Sequence, residues 1–120
     1  MNPTLPMGMK IIYQSNMNES NPPNPDEHTK IRILYCPACG WMLRSAWIAQ
    51  EVLSTFSGEV SAVSLEPAAQ TPGLFQVWLR NSLIWCRKKD KGFPQAKELK
   101  KKIRDILCPD RDLGHLDQKN

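Results

Sequence analysis

No apolar run in this 120-residue chain approaches the ~18–20 residues that a membrane-spanning helix needs, so no transmembrane segment is expected. A secretory leader is not expected either. Around Met1, Met7 and Met9 there is one cation, Lys10, and a single short apolar patch, Ile11-Ile12-Tyr13, whereas a signal peptide carries about 7–15 apolar residues before a small-residue cleavage site. The expected location is therefore cytoplasmic and reducing, where a close cysteine pair serves catalysis or metal binding more often than structural cross-linking.

Metal ligands are scarce. Two of the four cysteines form Cys36-Pro37-Ala38-Cys39, but there is no second Cys-x-x-Cys, and Cys86, Cys108, His28 and His115 stand alone. Cys-Pro-x-Cys-Gly also occurs in zinc ribbons, yet a closed zinc site takes four ligands, usually from two such pairs. No metal or other cofactor is expected, and Cys86 and Cys108 read as packed thiols. His115 lacks the Ser, Cys or carboxylate company that general-base work requires.

The net charge of +4 is concentrated in two basic stretches, 87–91 and 97–104. Nucleic-acid binding would need them on one face with aromatic or base-reading groups. They read instead as solvated helix flanks, so neither nucleic acid nor membrane is an expected partner.

What the chain does have is unevenly spread. Five of its ten prolines fall in the first 25 residues beside an Asn- and Ser-rich run, which makes 1–29 a disordered tail. A domain follows over 30–117, with 118–120 as a short C-terminal end. At that size a chain buries about 60–65% of its unfolded surface and needs a dense core. Trp47, Phe75, Trp78 and Trp85 are expected to fill that core or cover the sheet, and any that face outward are compatible with a homo-oligomer.

Lys30-Ile31-Arg32-Ile33-Leu34-Tyr35 reads as a strand running straight into the cysteine pair. Trp41 to Phe56 reads as a helix with Met42, Ala46, Ala49, Leu53 and Phe56 on its apolar face, and Gly58 as its stop. Residues 59–65 suggest a second strand reached by a right-handed parallel crossover. A hairpin of 74–79 and 83–86 follows. The last helix starts near Pro94, places Ala96, Leu99, Ile103, Ile106 and Leu107 on one face, and ends at Pro109. The order β-α-β-β-β-α, with Cys-x-x-Cys after the first strand, is a thioredoxin-like α/β arrangement: a mixed four-stranded sheet with two main helices.

Placed at a helix mouth, Cys36 and Cys39 are close enough to form a disulfide. If Pro37 opens the helix, Cys36 is its N-cap, and the N–H groups of Ala38 and Cys39 point at its sulfur. That geometry and the helix dipole both favour thiolate, making Cys36 the attacking thiol and Cys39 the resolving one. Trp41, which immediately follows the motif, reads as a packed residue, with a shallow partner-binding surface as the alternative.

Several blocks together resemble the bacterial branch of the selenoprotein W/T/H (Rdx) family. They are Tyr35-Cys36-Pro37-Ala38-Cys39, the run from Leu43 to Glu51, Gly73-Leu74-Phe75-Gln76-Val77, the run from Gly92 to Lys100, and Arg111-Asp112-Leu113-Gly114-His115. The resemblance spans about residues 30 to 117. It implies a thioredoxin-like fold and a thiol-redox role, with glutathione or protein thiols and disulfides as partners. Animal members carry selenocysteine at the position of Cys39, which favours Cys39 as attacker where capping favours Cys36. The fold family also places a cis-proline before its third strand; Thr71-Pro72 occupies that point, as cis-proline or as an ordinary loop residue.

Overall fold

Ile31, Ile33 and Tyr35 alternate with Arg32 and Leu34 along β1 (Lys30–Tyr35), and that alternation gives the sheet one buried and one open face. The structure is a computed structural model that describes residues 22–114. β1 is central. It pairs in parallel with β2 (Ala62–Pro67), Ile31 opposite Val63 and Ile33 opposite Leu65, and antiparallel with β3 (Phe75–Leu79). β3 pairs antiparallel with β4 (Ser82–Cys86), giving the order β2-β1-β3-β4.

The helix α1 (Met42–Thr55) makes the crossover between β1 and β2, and α3 (Ala96–Leu107) closes the domain. These two helices touch one another. Ile48 and Val52 from the first with Phe56 just past its end, and Leu99 and Ile103 from the second, join Ile31, Ile33 and Val77 in one apolar core. The expected thioredoxin-like arrangement is thus present. It is supplemented by a single turn of helix, α2 (Arg87–Asp90), too short to leave any periodicity in the sequence.

Polar contacts set the remaining edges. Gln95 and Glu98 form a capping box at the start of α3, with the Gln95 N–H donating to Glu98 Oε1 at 3.1 Å. Lys100 of α3 pairs with Glu51 of α1 at 2.9 Å. On the open face Arg32 grips Glu66 with two bonds of 2.9 and 2.7 Å, and the Trp78 indole N–H donates to Gln76.

Four details depart from the sequence reading. The second strand starts at Ala62, because the N–H groups of Glu59 and Val60 both bond to the Phe56 carbonyl and extend the turn that ends α1. The buried face of α1 is Ser45, Ile48, Ala49 and Val52; Met42 and Leu53 are exposed. That rotation of the helix also leaves Trp47 51% exposed, so it does not fill the core, whereas Phe75 and Trp85 do. Finally, Glu27–Thr29 form a 3-10 turn, with the Asp26 carboxylate accepting the His28 N–H and the Ser61 hydroxyl donating to the Asp26 carbonyl.

Residues 1–21 and 115–120, which include most of the expected tail, the 118–120 end and His115, lie outside the described residues. Among the described residues no helix is long and apolar enough to cross a membrane.

Candidate thiol redox site

Cys36 follows the last residue of β1, so the central strand delivers the first thiol to the end of the sheet. The chain then makes a turn of its own. The Gly40 N–H bonds back to the Pro37 carbonyl at 3.2 Å, and Gly40 has φ +75°, a conformation that glycine adopts without penalty. Only after this reversal does α1 begin, with Trp41 as its N-cap. Cys36 is therefore not the helix cap that the sequence suggested.

The Trp41 carbonyl accepts both the N–H and the hydroxyl of Ser45, at 3.0 and 2.8 Å, which satisfies the one buried polar residue among those described. The expected sulfur contacts survive the change of geometry. The N–H groups of Ala38 and Cys39 do face the Cys36 sulfur, held there by the separate turn.

A second loop completes the site. Thr71-Pro72-Gly73-Leu74 is a turn closed by the Leu74 N–H on the Thr71 carbonyl at 3.2 Å, with proline second and Gly73 third at φ +81°, the residue order of a type II turn. The Thr71–Pro72 bond is trans, so the proline is an ordinary turn residue. Its neighbour meets the thiols: the Gly73 N–H is a hydrogen-bond donor to both Cys36 and Cys39.

The two sulfurs are unequal. Cys36 is 1% exposed, while Cys39 is open to solvent. The hydrogen bond donated by the Cys39 thiol, then the Gly73 N–H, hold Cys36 below the usual thiol range against the opposing effect of burial. Cys39 is raised, because its proton is engaged by Cys36 and because of partial desolvation; the Gly73 N–H and the charge of Arg87 act the other way.

Aromatic and cationic groups flank the pair. Trp41 and Phe75 both meet Phe93 edge-on, with centroids 4.9 and 4.8 Å apart. The Arg44 guanidinium lies 4.4 Å from the Phe93 centroid and that of Arg87 4.9 Å from the Trp41 centroid. Trp41 is half-buried and supports this cluster.

The other cysteines stand apart from the pair. Cys86 is buried at the end of β4; the N–H groups of Lys89 and Lys88 lower its pKa against burial. Cys108 caps α3. Among the described residues no group of three or more His, Cys, Asp or Glu is arranged to hold a metal. Two surface concavities lie elsewhere, one lined by Thr29, Ser57 and Glu59, the other by Leu83, Lys102 and Ile106.

Gly73 and Arg87 are the site residues that sequence reasoning missed. Pro72-Gly73 carries a readable turn signal, but nothing local to Arg87 points to the thiols.

Comparison with known proteins agrees with this geometry. No curated protein matches the chain. The crystal structure of a selenoprotein W-related protein from Vibrio cholerae is similar at 49% identity, covering 64% of this chain and 94% of that one, with a TM-score of 0.62. A Bordetella parapertussis protein of known structure is similar at 46% identity, over 65% of this chain and 96% of its own, also with a TM-score of 0.62. The Rdx family model matches residues 30–105, the whole span from β1 into α3, and the chain belongs to the Rdx family.

Proposed function

We propose that this Rdx-family chain performs thiol–disulfide exchange through Cys36 and Cys39, with glutathione or protein disulfides as partners in a cytoplasmic setting. The observation that carries the reading is the unequal pair: an exposed thiol hydrogen-bonded to a buried sulfur of lowered pKa, both facing one N–H.

Exposure makes Cys39 the sulfur that meets the partner. Its proton passes to the Cys36 thiolate, and the Cys39 thiolate attacks one sulfur of the partner disulfide. The partner S–S bond breaks, its other half leaves as thiolate and takes a proton from water, and a mixed disulfide to Cys39 forms. Cys36 then gives its proton to water, attacks the Cys39 sulfur and expels the second half of the partner as a thiolate. The partner gains two electrons and the pair becomes a disulfide, which glutathione or another thiol returns to the dithiol.

Equilibration in glutathione redox buffers, with acid quenching and intact-mass analysis, tests this. A Cys36–Cys39 disulfide whose population follows the buffer ratio is expected; a pair that stays reduced across the range defeats the proposal. A second reading, a redox-dependent interaction module without turnover, draws on the exposed Met42, Leu43 and Trp47 of α1, which follow the motif closely in the chain. Reversible disulfide formation without turnover of any disulfide substrate would favour it.

A further inference from the structure

We infer that Arg87 is a positioning residue for the redox pair, holding a positive charge beside the Cys39 sulfur and bracing the Gly73 peptide that faces both sulfurs. The inference rests on the exchange reading above and adds to it the group that readies the exposed thiol.

Arg87 opens α2, directly after the last residue of β4, and its guanidinium reaches the Gly73 carbonyl and the Trp41 ring. Nη2 lies 3.4 Å from the Gly73 carbonyl oxygen, and a Cβ placed on Gly73 would stand 3.7 Å from the same atom. The guanidinium carbon is 4.9 Å from the centroid of Trp41, two residues beyond Cys39. A side chain anchored at these two points bridges the Pro72-Gly73 turn and the start of α1, next to the cysteine turn.

Arg87 Nε is buried and has no hydrogen-bond partner among the described residues. A buried guanidinium N–H without an oxygen acceptor is unfavourable, because its hydration is lost without replacement. The groups around it offer an aromatic face and, at Cys39, a thiol that becomes an anion on ionisation. The charge of Arg87 favours that anion.

The neighbouring charged groups do not share this role. Arg44 stands over Phe93, and Lys89 acts on Cys86. Cys36, in the same turn, is the remaining titrating group at Cys39 and can be removed by substitution.

The test uses the full chain carrying Cys36→Ser, with Cys39 alkylation by iodoacetamide followed against pH and the Arg87 Nε–Hε resonance followed by NMR. Both should titrate with one midpoint. Arg87→Met keeps the aliphatic stem on Trp41 and should slow alkylation at neutral pH about 3–10-fold, through a higher midpoint; Arg87→Lys should recover most of the rate. In a Cys39→Ser chain, Arg87→Met should move the Cys36 midpoint less.

An Arg87 resonance indifferent to Cys39 ionisation overturns the inference. So does an unmoved Cys39 midpoint in folded Arg87→Met, or a lysine variant no better than methionine. The resonance is read with Arg87 in place, so a variant that does not fold leaves the decision available. Alkylation needs no turnover, so these outcomes are separate from failure to form the Cys36–Cys39 disulfide.

Discussion

The Cys39 thiol donates its hydrogen to the Cys36 sulfur, so the exposed member of the pair carries the proton and the enclosed member is the better anion. Accessibility and acidity are thereby divided between two residues. A Cys36→Ser chain mixed with a small disulfide should accumulate a stable adduct on Cys39. Cys39→Ser should form its adduct on Cys36 about tenfold more slowly, because an enclosed sulfur cannot reach a partner without local opening. Intact-mass time courses distinguish the two, and faster trapping on Cys36 would reverse the assignment.

Removing the donor has a predictable sign. A hydrogen bond to a thiolate favours the ionised form and lowers the pKa, so Cys39→Ala should raise the Cys36 midpoint toward the free-thiol value of about 8.5. The thiolate absorbance of Cys36 across a pH titration measures it. An unchanged midpoint would mean that the backbone N–H groups alone hold the anion.

Gly73→Ala should affect both fold and chemistry. At φ +81° an alanine is strained by about 1–2 kcal/mol, although its Cβ would meet only ordinary contact at 3.7 Å. Relief of that strain turns the N–H away from the sulfurs. A lower melting temperature is expected, together with a higher Cys36 midpoint.

On the open face, Arg32 and the Ser64 hydroxyl hold the Glu66 carboxyl at about 2, against about 4.3 in an unfolded chain. A depressed carboxylate stabilises the fold fully above the unfolded value, and that contribution disappears as pH falls through the folded one. Because both side chains are at least a third exposed, solvent screening limits the effect to about 1 kcal/mol or less. Glu66→Gln should be less stable than the parent at neutral pH in urea unfolding, and the two should converge near pH 2.

Two neighbours on α1 should behave oppositely. Ile48→Ala removes a side chain that is 2% exposed and should cost roughly 2–5 kcal/mol. Trp47→Gln, at a half-exposed position, should change stability by less than about 1 kcal/mol. Comparable losses at both sites would refute the observed orientation of the helix.

The same helix shows where sequence reasoning reached its limit. Met42, Ala46, Ala49, Leu53 and Phe56 recur at helical steps, but so do Ser45, Ile48, Ala49, Val52 and Phe56. The second set wins because the Trp41 carbonyl satisfies Ser45 inside the core, a contact that residue polarity argues against. β1 was legible because its alternation has one period and one interpretation, and so was the hairpin apart from its ends. The Cys-x-x-Cys pair could be picked out, but its capping geometry could not, since the left-handed Gly40 inserts a turn before the helix. Gly73 and Arg87 reach the thiols from 34 and 48 residues beyond Cys39 (73 − 39 and 87 − 39), a relation that only tertiary structure creates.

The central position of β1 bears on synthesis at the ribosome. Both strands that pair with β1 come later in the chain, and the N–H facing its sulfurs belongs to Gly73. Until translation has passed β3, the emerging polypeptide holds Cys36 and Cys39 without the partners that make them unequal. The nascent pair is two ordinary thiols, and its distinctive reactivity arises only when the sheet closes.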